Sequence, residues 1–438
     1  MTASIEELSS SLHETLVSHK VFETAQGNQL RAQIISSLTQ EFQAWCPQGK
    51  VIAFGSYKLG VHSPNTDLDI LCIAPKNISR SEFQTEFYER LSSMNGVFYC
   101  HGVFRTKVPI IKLIIESTAV DLLYANVDAE NLLDDAIFDV CDEATMLSLN
   151  GYRNNEILLR LVPDIEKYQM VLRAIKLWAK RKGLYSNIFG YLGGAAWSLM
   201  VAKVCMMYPG LSDVEIIYKF FKVYSVWDWS IPICLTPAEF HQKMDIYSTR
   251  SANDKSYISI MTPAFPRYNA AYTLSSSGFH LINQEVKLAY KITEDIFAGV
   301  ATFDDLFAEI DFFQQFKYFL RVEIQSSTAL DFENWHGLVS SRLKFLIADL
   351  ECTYPKPRVL IYSRSFPSPT PKYPYSSAYY IGLNFKEMSS STIDLRSPVS
   401  NFCQILNEQK PNPATMNIRI RFIPRNHLEP FIVKPILT

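Results

Sequence analysis

Three acidic residues have the side-chain type and spacing of a divalent-metal site. Asp67 and Asp69 lie at the start of the apolar run Leu68–Ala74, which has the composition of a buried strand. Side chains at positions i and i+2 of a strand point to the same side, so the two carboxylates would project together. They would repel each other unless a cation neutralised them, and carboxylate oxygens suit Mg²⁺. Asp121, set in an apolar stretch, is the best third ligand, and such a triad predicts two-metal phosphoryl transfer.

A glycine and a hydroxyl stand shortly before these acids. Ten residues separate Gly55-Ser56 from Asp67. Glycine lets the backbone approach a ligand closely and a hydroxyl can donate to an anionic oxygen, so this pair would contact phosphates. The chain has no G-x-x-x-x-G-K-[ST] motif, so a nucleotide would have to be bound without a P-loop.

A basic helix face follows further along the chain. The helix predicted over Tyr168–Lys182 carries Lys176 and Lys180 on the same face as Arg173. A solvated surface is the ordinary interpretation of such a face, but beside a metal site the lysines would bind a triphosphate. The segment after this helix offers a ring, an amide and two adjacent glycines to a base: Tyr185, Asn187, Gly193 and Gly194.

The elements that must position these residues form three patterns in series. Helical spacing at 5–20 and 26–46 precedes a small mixed sheet with a crossover helix at 79–93. The strands predicted for this sheet are Val51–Phe54, Leu68–Ala74, Pro109–Ile115 and Ala119–Ala125. From about 163 to 310 the pattern is helical, and Gly194–Tyr208 is one of its clearest helices.

The remaining residues predict an α+β unit. Six prolines between 355 and 374 indicate an extended surface loop within it. The elements predicted here are strands at Lys317–Ile324, Val359–Tyr362, Tyr379–Asn384 and Ile418–Ile423, with a helix at Ser340–Leu350.

Composition limits the classes of protein that this chain can be. Its 438 residues predict two or three domains, and 48% apolar with 20% charged residues argues against extended disorder or a coiled-coil rod. Residues 311–438 hold 15 Lys and Arg against 10 Asp and Glu, which permits RNA binding by this end without proving it. Eight scattered cysteines lack zinc-site spacing and are expected to be reduced and mostly buried. No signal peptide or membrane span is predicted.

Several of these segments resemble the eukaryotic poly(A) polymerases, which belong to the DNA polymerase β-like nucleotidyltransferase superfamily. The likeness extends over essentially the whole chain. Its motifs are FGSYKLGVHSPNTDLDILCIAP, VPIIKL with VDLLYA, Leu149-Asn150-Gly151, IKLWAKRKGLYSNIFGYLGG, FFKVYSVWDWSIPICL and ISIMTPAFPRYN. Two positions depart from the relatives: Lys107 replaces an aromatic residue before Val108-Pro109, and Ala195 replaces a valine after Gly194.

The resemblance implies an α+β multidomain fold. A helix over 1–20 would pack on the central domain, and a polymerase β-like nucleotidyltransferase domain with a mixed sheet would span 21–162. A central helical domain would span 163–310, and an RRM-like α+β domain that binds RNA would span 311–438.

The resemblance also assigns roles to residues. The metal ligands and catalytic residues would be Asp67, Asp69 and Asp121, and Lys112 would contact the RNA. The ATP contacts would be Gly55, Ser56, Asn150, Lys176, Lys180, Tyr185, Asn187, Gly193, Gly194, Ala195 and Thr262. The expected reaction adds AMP from ATP to RNA 3′ ends with two Mg²⁺ ions, for which Mn²⁺ would be the substitute. The implied setting is a nuclear monomer that works with cleavage and polyadenylation factors.

Three other hypotheses stay open at this point. A uridylyl- or CCA-adding transferase would use the same three aspartates. An RNA-binding regulator that has lost catalysis would keep the fold, although the intact aspartates argue against it. The terminal α+β unit could bind protein instead of RNA.

Overall fold

We analysed a computed structural model, which describes residues 4–128, 132–139, 141–236, 257–353, 356–385 and 394–429. The first part is built on a five-stranded mixed sheet in the order β1-β2-β5-β4-β3, in which only the β2–β5 pair is parallel. Its strands are β1 Lys50–Ala53, β2 Leu68–Ala74, β3 Val97–Val103, β4 Ile110–Ile115 and β5 Thr118–Asn126. Its helices are α1 Ile5–Ser18, α2 Ala25–Trp45, α3 Gly55–Lys58, α4 Arg80–Glu82 and α5 Tyr88–Ser93, with a π-helical turn at Phe83–Phe87.

The two faces of this sheet have different surroundings. Alternate residues of β2, such as Leu68 and Ile70, are buried against Phe42 of α2 and Phe87 of the π-helical turn. Because side chains alternate along a strand, Asp69 lies on the opposite face, whose apolar positions belong to a separate, smaller cluster. One face of the sheet therefore forms the core, and the other carries the acidic residues.

The four strands predicted for this sheet are present, and none of their ends differs from the prediction by more than one residue. One strand was missed. Residues 97–103 form β3, an antiparallel partner of β4 with a register irregularity between Val97 and Tyr99. The segment contains Gly102 and two adjacent aromatic residues, so it lacks the apolar-polar alternation that identifies a strand from sequence. β3 is an edge strand, paired on one side only.

The central part is helical and surrounds a large apolar core. Its helices are α6 Glu143–Leu161, α7 Ile165–Arg181, α8 Gly194–Met207, α9 Asp213–Ser225, α10 Ser276–Phe297 and α11 Phe303–Leu306. The rings of Trp178 and Trp197 meet edge to face with centroids 5.7 Å apart, and both are fully buried. Helix α1 packs here as well, since Leu12 is buried in this core and the Ser9 hydroxyl donates to Asp213 at 2.6 Å.

The third part is an antiparallel sheet in the order β10-β6-β9-β7, with β8 added to β9. Its elements are β6 Tyr318–Ser326, α12 Ala329–Glu351, β7 Pro357–Ile361, β8 Phe366–Pro367, β9 Tyr375–Phe385, α13 Arg396–Gln409 and β10 Met416–Pro424. Leaving aside the short β8, the order β-α-β-β-α-β is that of the split βαβ fold shared by RRM domains.

The sequence underestimated this part in three places. Helix α12 begins eleven residues before the predicted Ser340, and α13 was not predicted at all. The proline-rich segment is not only a surface loop, because Phe366 pairs with β9 and packs on the ring of Tyr380 at 5.7 Å. Prolines outside strand centres are compatible with sheet edges, which is why their number was misleading.

Hydrogen bonds join the third part to the central helices. The Glu351 carboxylate accepts from the backbone N–H groups of Ser276 and Ser277, which open α10, at 3.2 and 2.7 Å. The Tyr191 hydroxyl donates to the carbonyl of Ile361 at 2.9 Å. These groups are buried, so the two parts share one interior.

Two further sequence predictions concern the whole chain. None of the helices described is long and apolar enough to cross a membrane. All eight cysteines are unpaired, but only Cys46, Cys72 and Cys205 are buried, and Cys352 is exposed, so the expectation of mostly buried thiols was too strong.

Candidate active site

Strand pairing brings Asp67 and Asp69 close to Asp121. In the parallel pairing of β2 with β5, Asp69 lies directly opposite Asp121, and Asp67 precedes β2 by one residue. Burial first, and then the charges of Asp121 and Asp67, raise the pKa of Asp69 to about 7. Burial and Asp121 raise the pKa of Asp67 as well. The carboxylates thus form a concentrated negative charge.

Asp121 already has a cationic neighbour. The Lys112 ammonium on β4 lies 3.2 Å from a carboxylate oxygen of Asp121, its cross-strand partner. The pair is partly exposed, with 46% of the Lys112 side chain and 24% of the Asp121 side chain accessible. Lys112 therefore supplies part of the positive charge that this acidic cluster requires.

Gly55 brings the backbone against Asp69. It opens α3 with a φ of +62°, a left-handed conformation that glycine adopts at little cost. A Cβ atom at Gly55 would overlap the Asp69 carboxylate. The adjoining Phe54 N–H donates to the Asp69 carbonyl at 2.9 Å. Only glycine therefore leaves room for this acid and for a ligand beside it.

Helix α7 presents two lysines toward the same region. Burial, together with Lys180 and Arg173, lowers the pKa of Lys176 to about 8, and its ammonium donates to the Val61 carbonyl at 3.2 Å. Burial also lowers the pKa of Lys180, whose ammonium lies 5.3 Å from the centre of the Tyr185 ring. Partly desolvated ammonium groups of this kind gain from binding an anion.

Arg173, on the same helix, makes different contacts from these lysines. Its guanidinium donates to the carbonyl of Gly60 and its carbon centre lies 5.0 Å from the Phe22 ring. It braces the turn after α3 and does not line the cavity.

Tyr185 and the start of α8 close the other side. Burial and the charge of Asp69 raise the pKa of the Tyr185 phenol to about 12, so it remains protonated. A Cβ atom on Gly194 would come within 2.7 Å of the Tyr185 hydroxyl. The absent side chain leaves this hydroxyl accessible from the cavity.

A cavity of about 530 Å³ connects these groups, a size within the range of small-molecule sites. Ten of the residues predicted for the site line it: Asp67, Asp69, Gly55, Ser56, Lys176, Lys180, Tyr185, Gly194, Ala195 and Thr262. Apolar side chains such as Leu158, Leu172 and Leu199 cover its deep end. An acidic edge, a basic helix and an apolar floor suit a metal, a triphosphate and a base respectively.

Five predicted residues lie outside the cavity lining. Asp121 and Lys112 adjoin it through the sheet pairing described above. Asn150 is buried, and its amide donates to the Pro266 carbonyl at 3.3 Å. Asn187 and Gly193 are neighbours, since a Cβ atom on Gly193 would lie 3.3 Å from that of Asn187.

Sequence reasoning missed several polar residues that line the cavity. Asn154 and Asn155 lie one turn after Asn150 on α6, and helical spacing could have indicated them. The Asn154 side-chain oxygen accepts from the backbone N–H of Ala264 at 2.9 Å, which fixes the segment before Tyr268 against α6. Ser198 lies one turn after Gly194 on α8, and its hydroxyl is 2.7 Å from that of Tyr168.

The chemistry of the acidic cluster fits a divalent cation. Asp67, Asp69 and Asp121 offer only hard oxygen donors, and their mutual repulsion would be relieved by a cation. Within the part of the chain that the structure describes, no three His, Cys, Asp or Glu side chains are already grouped around a metal-sized position. Both carboxylate oxygens of Asp121 lie within 3.3 Å of the Lys112 ammonium, so Lys112 would compete with a metal ion for Asp121.

The third part carries its charge in internal pairs. On the sheet face opposite α12, Arg321 lies 3.0 Å from Glu323 and 2.7 Å from Glu429, and Arg421 also donates to Glu323. The Tyr380 hydroxyl donates to Glu429 at 2.9 Å. The exposed Arg419, the cross-strand neighbour of Glu323, lies on the same face. Most of the charges on this face are therefore paired, and Arg419 adds a positive charge at its surface.

Three family descriptions match consecutive parts of the chain. Residues 2–162 match the poly(A) polymerase nucleotidyltransferase domain, and residues 167–309 match the poly(A) polymerase central domain. Residues 311–368 and 363–437 match the poly(A) polymerase predicted RNA binding domain.

Relatives agree over most of the chain. It is 32% identical to the poly(A) polymerase of Dictyostelium discoideum over 97% of its own length and 57% of that protein. It is also 32% identical to nuclear poly(A) polymerase 1 of Arabidopsis thaliana over 87% of its length and 55% of that protein. The chain thus spans little more than half the length of these relatives.

Solved structures share the fold over 70% of the chain. Cid1, described as having RNA terminal uridylyl transferase activity, aligns with a TM-score of 0.53 and 18% identity over 70% of this chain and 99% of its own. A cytoplasmic RNA terminal U-transferase aligns with a TM-score of 0.52 and 20% identity over the same share of each chain. Because all three poly(A) polymerase domain descriptions match in series along nearly the whole chain, the chain belongs to the poly(A) polymerase family.

Proposed function

We propose that the chain is a polynucleotide adenylyltransferase, which adds AMP from ATP to RNA 3′ ends without a template. The observation that carries this proposal is the cavity with Asp67 and Asp69 at its edge and Lys176 and Lys180 along its side. The names of the curated relatives support adenylate as the group transferred.

In this reaction the RNA 3′-hydroxyl oxygen attacks the α-phosphorus of ATP. The new O–P bond forms as the bond to the β-phosphate oxygen breaks, so pyrophosphate leaves with its charge and the hydroxyl proton goes to solvent. No covalent enzyme intermediate is required. The chain's own task is therefore to hold two substrates in line and to compensate charge.

Asp67, Asp69 and Asp121 would hold two Mg²⁺ ions, with Mn²⁺ as a substitute. When bound, such ions make the attacking hydroxyl more acidic and neutralise the leaving pyrophosphate. Lys112 would release Asp121 for this purpose and remain beside the RNA end, where its charge can meet a phosphate.

The remaining groups would bind ATP. The backbone at Gly55 and the Ser56 hydroxyl would contact the phosphates, and Lys176 and Lys180 would balance their charge. Tyr185, Gly194, Ala195 and Thr262 would enclose the nucleoside. The buried Asn150 and the exposed Asn187 would reach it after small shifts of the walls. Ala195 leaves the base pocket slightly roomier than valine would, which changes base discrimination by about 1–3 kcal/mol.

The wider setting is also part of this proposal. We infer a nuclear location, since curated relatives are named as nuclear poly(A) polymerases. We expect a monomer that cleavage and polyadenylation factors recruit. The third part would bind RNA, and a salt titration of RNA binding by the whole chain tests this, because phosphate contacts predict a steep loss of affinity as salt rises.

Primer extension with one nucleoside triphosphate at a time tests the reaction. We expect ladders with ATP in the presence of Mg²⁺, little extension with UTP or CTP, and none with Asp69→Asn. Asp304→Asn is the matched control, because it removes the charge of an acid that is 75% exposed and distant from the cavity lining. Preferential uridylate or cytidylate addition would replace this proposal with one of its rivals, and unchanged extension by Asp69→Asn would remove the catalytic assignment.

A further inference from the structure

The face of the five-stranded sheet that carries the aspartates extends to its edge strand, β3. Pairing places Asp69 opposite Asp121, Asp121 opposite Lys112, and Lys112 opposite His101. These four residues form one row across four strands, and cross-strand partners point to the same face. His101 thus lies on the same surface as the acidic cluster, two strands beyond Asp121.

A second row runs parallel to the first and is apolar. Tyr99 pairs with Ile114, and Ile114 pairs with Ala119, which lies two residues before Asp121. Ile114 is 40% exposed, while its neighbours Leu113 and Ile115 are buried on the other face. Ile114 is not a member of the core clusters, so its side chain offers an apolar surface beside the candidate active site.

The two β3 side chains are planar rings on the same face. The ring centroids of Tyr99 and His101 lie 6.1 Å apart with an interplanar angle of 33°. Both residues are half-buried, and burial together with Lys112 lowers the pKa of His101, so its ring is uncharged at neutral pH. We call Tyr99, His101 and Ile114 the β3 platform.

Charged residues surround the β3 platform. Burial and the charge of Glu333, on the first turns of α12, raise the pKa of Tyr99. Arg105 and Lys107 are exposed in the turn between β3 and β4. The β3 platform therefore has cations at one end.

We infer that the β3 platform stacks the bases of the nucleotides next to the RNA 3′ end, while Lys112, Arg105 and Lys107 meet their phosphates. This inference rests on the proposed function. Strands are about 4.8 Å apart, so His101 is roughly 10 Å from Asp121. With about 3.4 Å per stacked nucleotide, that distance corresponds to roughly three nucleotides.

Stacking suits the task of this surface. Every base has a π-face, so rings bind successive bases with little sequence preference. An enzyme that must accept any 3′ end and then its own product requires that tolerance. Single-stranded RNA is the occupant that fits, because the surface is continuous with the acidic cluster at which the 3′-hydroxyl would react.

Steady-state kinetics of the full chain with an oligo(A) primer test the inference. Tyr99→Ala and His101→Ala should each raise the KM for the primer by roughly 5- to 100-fold, the range for loss of one stacked base, with kcat and the KM for ATP nearly unchanged. Tyr99→Phe and His101→Phe keep a ring and should restore the primer KM. Phe345→Ala is the matched control, since it removes a ring that is 43% exposed on α12.

A fluorescence measurement gives a readout that needs no turnover. Oligo(A) with a single 2-aminopurine within three positions of its 3′ end should be quenched on binding the wild-type chain and much less by Tyr99→Ala or His101→Ala. Equal quenching by all variants, or an unchanged primer KM in Tyr99→Ala and His101→Ala, would overturn the inference. If the variants extend primers normally but lose binding to a protein, the β3 platform is a protein interface and the inference is wrong. If the wild-type chain itself extends no RNA, the proposed function fails instead.

Discussion

Replacing Gly55 by alanine tests whether the close approach of this residue to the Asp69 carboxylate is needed for activity. Gly55 has a φ of +62°, and an added Cβ would overlap the Asp69 carboxylate. A non-glycine residue in this conformation costs about 1–2 kcal/mol, which lowers the free energy of unfolding. The overlap adds a second effect, because the carboxylate has to move by about an ångström, and a misplacement of this size costs roughly 100-fold in rate.

Gly183 offers a control with the same backbone cost and no overlap. Its φ is +66°, and a Cβ added there meets nothing within 4 Å. We expect Gly55→Ala and Gly183→Ala to lower the free energy of unfolding by similar amounts, about 1–2 kcal/mol, measured by denaturant titration.

Primer extension then separates the two variants. The kcat/KM for ATP should fall at least about 100-fold in Gly55→Ala and less than about threefold in Gly183→Ala, with both assayed well below their melting temperatures. If Gly55→Ala kept the activity of Gly183→Ala, the close approach of Gly55 to Asp69 would have no role in catalysis and this reasoning would fail.

Three further predictions follow from named contacts. The pKa of Lys176 is lowered to about 8, so its side chain is charged below that pH and neutral above it. The KM for ATP should therefore rise about tenfold per pH unit above pH 8, and Lys176→Met should abolish this dependence. Glu351→Gln weakens the bonds to Ser276 and Ser277 and should lower the free energy of unfolding by about 1–3 kcal/mol, measured by denaturant titration. Lys112→Met removes a competing cation from Asp121 and should tighten Mn²⁺ binding without RNA by up to about fivefold in a spectroscopic titration; weaker Mn²⁺ binding would contradict the competition.

The sequence predicted the residues that lie close together along the chain better than those that meet through folding. Leu68–Ala74 is a run of buried residues, so the predicted strand agrees with β2 at both ends. Asp67 and Asp69 follow from strand periodicity alone. The position of Asp121 opposite Asp69 depends on the parallel pairing of β2 with β5, which no local pattern specifies.

The missed features have physical reasons of the same kind. β3 is an edge strand without a fully buried residue, so its composition is mixed and its alternation weak. The Lys112–Asp121 pair joins two separately predicted roles, a metal ligand and an RNA contact, and only the sheet register reveals that they meet. Asn150 was assigned to ATP by family likeness, but its amide donates to the Pro266 carbonyl, a contact between segments distant in sequence.

The most direct test of the central claim is anomalous diffraction from a crystal soaked with Mn²⁺ and a non-hydrolysable ATP analogue. We expect two manganese peaks between Asp67, Asp69, Asp121 and the triphosphate, with metal–oxygen distances of about 2.2 Å. We also expect that Asp121 has left Lys112 and that the triphosphate lies against Lys176 and Lys180. Peaks elsewhere, or an Asp121 still paired with Lys112 beside bound nucleotide, would contradict the central claim.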